Sequence, residues 1–167
     1  MPEKETIFSS TIKYNGIFSF KELYNFCYSW LTEETGLDLV EEKYEEKLSG
    51  DSKSIEVEWS GSKKMTDYFK IEAKISFSII NLTKVEINSG GAKVETNKGV
   101  VKIGIKGNLI RDYEGKFETT AFKKFLRSIY EKWVIPSRIE QYEDKIISSC
   151  DDFLNQTKAY LDLEGKK

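Results

Sequence analysis

The segment FKIEAKISFSI, residues 69–79, places an apolar side chain at every odd position and a lysine, glutamate or serine at every even one. The same alternation occurs over residues 55–59 and 101–109. Successive side chains of a strand point to opposite faces of a sheet, so this pattern predicts an antiparallel sheet with one apolar face and one solvated face.

Turn signals divide the surrounding chain into further strands. We expect turns at residues 15–16, 49–51, 81–83, 89–91 and 97–99, where asparagine, glycine and serine cluster. A first strand is predicted over residues 5–14. Residues 37–48 fit either a helical stripe or a strand face, and the strand is preferred because a turn and an alternating run follow directly. The result is a curved antiparallel β-meander of about six or seven strands.

Helical patterns lie on both sides of the meander. Ser19 and Glu22 have the spacing of a capping box, which predicts a helix over residues 20–33. Apolar residues recur every three or four positions over 122–134 and again over 137–163. We therefore predict an α+β fold with a long C-terminal helix kinked at Pro136, the alternative being two helices that meet there at an angle. Gly107 falls at an inward position, where the sheet can bend or a neighbour can approach closely.

This order of strand, helix, antiparallel meander and long terminal helix is similar to the helix-grip layout of the START-like and polyketide-cyclase-like (START/SRPBCC) proteins. The resemblance implies that the last helix lies across the curved sheet. We expect residues 1–167 to form a single α+β domain. Residues 137–167 could instead protrude and pack on a partner.

Composition narrows the classes of function. The 26 basic and 28 acidic residues give a formal charge of −2, which disfavours nucleic acid as a partner. Met1 to Thr6 lacks the order of a secretory signal, and no apolar run approaches the length of a transmembrane segment. Two cysteines without an export signal favour a reducing compartment, so a cytoplasmic location is expected.

The residue types that most enzymes use are scarce. Histidine is absent, which removes histidine bases and the commonest zinc sites. Cys27 and Cys150 fall on apolar helical stripes, which favours buried structural thiols. The glutamates of residues 41–46 are interrupted by Lys43, which is typical of a solvated surface and not of a calcium loop. We expect no cofactor, no metal ion and no recognisable catalytic residue, and lean against an enzyme.

One basic run stands out from this balance. It lies in the final strand and its flanks and consists of Lys98, Lys102, Lys106 and Arg111. Lys102 and Lys106 are predicted on the solvated face, with Lys70 and Lys74 as candidate neighbours. Because glutamates occupy similar positions on other strands, an ordinary solvated face is favoured over a contact surface for nucleic acid, phospholipid or an acidic protein.

Two functions fit the predicted layout. The first is a noncatalytic domain that binds an apolar small molecule or lipid between the sheet and the C-terminal helix. Its candidate ligand-binding residues are Trp59, Phe69, Phe77, Phe122, Phe125, Ile129 and Trp133.

The second is a protein-interaction module, in which the C-terminal helix packs on a protein partner or on a second copy of the chain. Its candidate contact residues are Ile139, Tyr142, Ile146, Phe153 and Tyr160.

Overall fold

A computed structural model describes residues 3–66, 68–111, 121–129, 132 and 136–165 of the chain. Within these residues it has an α+β fold with five strands and three helices, which confirms the predicted class. The elements are β1 (Glu3–Phe18), α1 (Phe20–Glu33), β2 (Asp38–Ser49), β3 (Ser52–Lys64), β4 (Phe69–Ser89), β5 (Ala92–Arg111), α2 (Ala121–Ile129) and α3 (Pro136–Glu164).

The five strands form one open antiparallel sheet in the order β1-β5-β4-β3-β2. The pairing register places odd-numbered residues of the central strands opposite one another, as in Val57, Phe77 and Ile103. These three side chains are at most 3% exposed. The alternation read from residues 55–109 therefore does produce one buried face and one open face.

The sheet has five strands where the sequence predicted about six or seven, because the turns predicted at residues 81–83 and 97–99 do not form and leave β4 and β5 undivided. β4 continues through residues 81–83, and the register shifts between Ile80 and Thr83. Asn81 takes up the extra length of chain with a φ of 55°, and Leu82 returns to the core at 5% exposure. A β-bulge therefore stands where a turn was expected.

The predicted turns at residues 15–16 and 97–99 are also wrong. Gly16 pairs with Gly99, and Asn97 pairs with both Phe18 and Lys84. β5 is hydrogen-bonded along both edges, and this continuous pairing outweighs the local turn preference of asparagine and glycine. The turns at residues 49–51 and 89–91 do form, and Gly90 and Gly91 supply the positive φ values of a tight hairpin.

The first helix and the second strand agree with prediction. The Ser19 hydroxyl accepts a hydrogen bond from the Glu22 amide at 3.4 Å and caps α1. The buried side of this helix consists of Leu23, Cys27 and Leu31. Residues 37–48, for which a helix was the alternative, lie in strand β2 from Asp38 onward.

In the C-terminal region the structure describes helices α2 and α3. Pro136 is the first residue of α3, where the missing amide hydrogen costs no helical hydrogen bond. The predicted kink depends on residues 130, 131 and 133–135, which lie outside the described residues.

Helix α3 closes the apolar face of the sheet by packing against β1 and β5. Its closest approach is at Gly107, where an added Cβ atom would lie 2.5 Å from Ile146 Cγ2 and 2.9 Å from Cys150 Sγ. Glycine at this position therefore lets the helix settle onto the strand. This contact is the close approach that the sequence predicted as one of two roles for Gly107.

Substitution of Gly107 by alanine tests this contact. We expect Gly107→Ala to lower the free energy of unfolding by about 1 to 3 kcal/mol, because the methyl group displaces α3. Urea denaturation measures the loss. In an Ile146→Ala background, which removes the nearest group, the same change should cost clearly less. Equal costs in the two backgrounds would contradict the proposed packing.

Candidate functional site

The residues predicted to line an internal ligand site are divided between two places. Trp59, Phe69 and Phe77 lie in the core, each at most 3% exposed. Phe125 and Ile129 lie on α2, where they are 60% and 39% exposed. Neither the Phe122 side chain nor Trp133 belongs to the part of the chain that the structure describes. The five predicted residues whose side chains are described therefore do not line one common space.

Aromatic rings fill the region around Trp59. Its indole makes edge-on contacts with Tyr24, Tyr28 and Phe77, at centroid distances of 5.0, 5.6 and 4.8 Å. Burial, followed by a hydrogen bond to Glu41, raises the pKa of Tyr24 to about 12. These contacts are those of a packed aromatic core.

The space between the sheet and α3 is small. A cavity of about 30 Å³ lies between the end of α1, the sheet and α3, and its lining includes Leu31, Ile105 and Ile146. This volume is close to that of one water molecule. Sites for small organic ligands usually measure about 300–1,000 Å³. An apolar ligand would need this seam to open.

The residues predicted to bind a partner through α3 pack instead on the chain itself. Ile146 and Phe153 are at most 2% exposed, and Ile139 is partly buried against the core. The Tyr142 ring lies 5.1 Å from that of Phe69. The Tyr160 ring stacks on Phe26 at 4.5 Å. The apolar stripe of α3 is thus occupied by the sheet and α1.

Both thiols are buried and free, as predicted. Burial raises the pKa of Cys27 to about 12, against a weaker opposing effect from the hydroxyl of Thr157, whose Oγ1 lies 3.8 Å from the sulfur. Burial also raises the pKa of Cys150 to about 12. Neither side chain has the thiolate character that a nucleophile or a metal ligand needs.

The uncovered face of the sheet carries a groove of about 710 Å³. Its lining includes the small residues Thr11, Ser76 and Gly104 and the charged residues Lys74 and Lys106. Glu42, Glu58, Ser60 and Glu72 also contribute. Unlike the seam under α3, this groove has room for a small molecule.

A polar network borders the groove. Lys4 Nζ lies 2.5 Å from Glu72 Oε1. Asn108 Nδ2 donates to the same oxygen at 3.4 Å, and Thr6 Oγ1 donates to Asn108 Oδ1 at 2.9 Å. Burial opposes ionisation of Glu72, but the Lys4 ammonium and the Asn108 amide lower its pKa below the ordinary value.

Sequence reasoning found part of this surface. It placed Lys106 on the solvated face with Lys74 as a candidate neighbour, and these residues are directly opposite each other. Lys70 faces Ile110 instead. The row of Thr11, Gly104 and Ser76 was missed, because its members come from three strands and only the pairing register brings them together.

Helix α2 has an inverted orientation. Arg127 is 7% exposed, and its Nε donates to the Tyr68 hydroxyl at 3.0 Å. The apolar residues Phe125, Leu126 and Ile129 are exposed at 60%, 41% and 39%. An amphipathic helix normally buries its apolar side. The apolar side of α2 is therefore available for contact.

Comparisons with known proteins give little further guidance. No family model matches the chain, and no curated protein matches it. One matching solved structure is an uncharacterized protein from Rhizobium leguminosarum, with 8% sequence identity and a TM-score of 0.19. The match covers 93% of this chain and 99% of the other. Similarity at this level supports no conclusion about fold or function.

Among the described residues, no helix is long and apolar enough to cross a membrane. They also include no group of three or more cysteine or acidic side chains placed to hold a metal ion.

Stability at alkaline pH tests the burial of the two thiols. Unfolded thiols ionise from about pH 9, whereas in the native state Cys27 and Cys150 keep their protons to about pH 12. The unfolded state thus binds fewer protons, and the free energy of unfolding falls as pH rises through this window. The fall approaches about 1.4 kcal/mol per pH unit for each thiol.

Urea denaturation from pH 8 upward measures this slope. A Cys27→Ala, Cys150→Ala double variant is less stable at every pH but should show a shallower fall. Tyr24 and Tyr44, whose pKa values burial raises to about 12, titrate in both proteins and cancel in the comparison. Parallel slopes would show that the thiols are accessible to solvent.

Proposed function

We propose that this chain is a noncatalytic lipid-binding domain that attaches to an anionic membrane surface through α2. The observation that carries the proposal is the orientation of this helix. Arg127 faces the body of the protein, whereas Phe125, Leu126 and Ile129 face solvent. Exposed apolar side chains grouped on one element typically mark a contact surface.

The helical geometry supports a single contact face. Phe125 and Ile129 are four residues apart and Leu126 is adjacent, so the three side chains share one side of α2. Arg127 lies on the other side, where Tyr68 holds it. A helix lying in the membrane interface buries such a face about 5–10 Å into the headgroup and acyl boundary.

The charge around this face favours an anionic surface. Lys123 and Lys124 are exposed on α2. Apart from Arg127, which faces the body of the protein, residues 121–132 contain three basic residues and one acidic residue, although the whole chain is nearly neutral. Long lysine stems can follow the apolar boundary while their ammonium groups reach lipid phosphates. The excess of positive charge is thus located where an amphipathic helix would meet headgroups.

The size of the face favours a membrane over a protein partner. A stable protein interface buries about 800 Å² on each partner and involves about 20–30 residues. The exposed apolar face of α2 consists of only three side chains in the described residues. Inserting a few apolar side chains, together with electrostatic attraction, is sufficient for reversible membrane attachment.

A lipid was already one of the ligands expected from the sequence. The proposed place of contact is now the surface of α2 and not the space between the sheet and α3. The cavity of about 30 Å³ under α3 supports this change of place. We also propose that the fold is a five-stranded variant of the helix-grip layout, supported by the pairing of β1 with β5 and the packing of α3 on both. A cytoplasmic location forms part of the proposal and is supported by the two free thiols.

Vesicle cosedimentation tests the proposal. The wild-type chain should bind vesicles of phosphatidylcholine and phosphatidylserine, and bind them less tightly without phosphatidylserine or at high salt. Phe125→Ala, Ile129→Ala should weaken binding by about tenfold or more, since each side chain contributes at least about 1.4 kcal/mol when buried. Lys123→Gln, Lys124→Gln should weaken binding to the anionic vesicles selectively.

Leu48→Ser provides a matched control, because Leu48 is an exposed leucine of β2, 79% exposed, outside α2. It should bind vesicles like the wild type. Absence of vesicle binding by the wild type, or equal loss in the control, would refute the proposal. Concentration-dependent self-association that requires Phe125 and Ile129, without vesicle binding, would instead favour the protein-interaction hypothesis.

A further inference from the structure

The groove on the uncovered face of the sheet is formed by strand residues and is separate from the exposed face of α2. Its floor is a row of small residues that the strand register aligns, Thr11, Gly104 and Ser76. Gly104 has no side chain to fill the row, and a Cβ atom there would meet Thr11 Cγ2 at 2.9 Å and Ser76 Oγ at 3.1 Å. The space above this row measures about 710 Å³.

Two lysines of the lining stand side by side. Lys74 of β4 and Lys106 of β5 are directly opposite each other in the register, on the same face of the sheet. Like charges in this arrangement destabilise a sheet. Among the described residues, no carboxylate lies within 4.0 Å of either ammonium group. The charge of Lys74 acts on Glu72, but that carboxylate is paired with Lys4, so neither lysine has an ion pair of its own among the described residues.

The acidic residues of the lining are already engaged or lie further along the groove. Glu72 is held by Lys4 and Asn108. Glu42 accepts a hydrogen bond from the Ser60 hydroxyl at 2.7 Å, and Glu58 is opposite Lys43 in the register. The groove is thus positive at β4 and β5 and rich in hydrogen-bond acceptors towards β2 and β3.

A second pair of like charges strengthens the positive end. Lys13 of β1 is opposite Lys102 of β5, two residues before Gly104. Lys106 follows Gly104 by two residues on the same strand. The small-residue floor therefore lies between two pairs of lysines, and a doubly charged anion above Gly104 would reduce the repulsion within both.

We propose that this groove binds a small phosphate monoester. The phosphate dianion bridges Lys74 and Lys106, with hydroxyls such as those of Ser76 and Thr11 as further donors. The hydroxyl-bearing body of the ligand extends along the groove, where Glu58 and Glu42 accept its hydrogen bonds. Two ammonium groups, nearby hydroxyls and a row without bulky side chains are suited to a tetrahedral dianion.

Titration with glycerol 3-phosphate, followed by calorimetry or by amide NMR shifts, tests the proposal. We expect saturable binding to the wild-type chain that weakens as salt increases. Lys74→Gln, Lys106→Gln should weaken the affinity by about tenfold or more. Because these substitutions remove a repulsive pair, the variant should remain folded, and its thermal midpoint checks this.

Lys84→Gln, Lys93→Gln is the matched control. It removes the same charge from exposed positions of β4 and β5 near the 90–91 hairpin and should leave the affinity within about twofold. Ser76→Leu should abolish binding by filling the floor, whereas Ser78→Leu, on the same strand and face but outside the lining, should not. Equal losses in a variant and its control would overturn the proposal.

Vesicles that contain phosphatidic acid distinguish a lipid headgroup from a soluble ligand. If the phosphate comes from a lipid, Lys74→Gln, Lys106→Gln should also weaken vesicle binding, with glycerol 3-phosphate as a competitor. If the ligand is soluble, this variant should lose the binding of glycerol 3-phosphate but still bind vesicles through α2. No saturable binding of glycerol 3-phosphate up to about 10 mM, with no effect of the variant on vesicles, would refute the site.

Discussion

The close contact of α3 with Gly107 is the constraint on which the rest of the structure depends. The odd-numbered positions of β3, β4 and β5 create an apolar face that must be removed from water. A side chain at position 107 would hold the helix away from the sheet. Because glycine is present, Ile146 and Cys150 reach the strand and the seam closes.

Closure of this seam determines where binding can occur. A ligand-holding version of the same layout would need α3 to stand further from β5 or to carry smaller side chains there. Here Phe153 and Leu161 are fully buried, and the remaining space admits about one water molecule. Trp59 and Phe77, which were predicted to line an apolar pocket, instead pack against each other, with Tyr24 on the other side of Trp59. The surfaces that the core leaves open are therefore the candidate binding surfaces.

The sequence predicted the faces of the sheet better than its connections. Alternation is a property of each strand, so the burial of Trp59 and Phe77 followed from residue number alone. Turn signals are weaker evidence, because a bulge or continuous pairing can absorb them, as at Asn81 and Gly99. Register is a relation between strands, and it was needed to bring Ser76 next to Gly104.

Helix α2 shows why part of the candidate site escaped prediction. Its apolar spacing was read correctly as helical, but amphipathicity by itself says only that one side avoids water. The usual inference places that side against the core, whereas here Arg127 takes the inner position beside Tyr68. Phe125 and Ile129 were therefore expected to face the ligand site, whereas they face solvent because α2 turns its other side to the protein. The periodicity that predicts a helix face buried in a protein core is equally expected of a helix whose apolar face contacts a membrane.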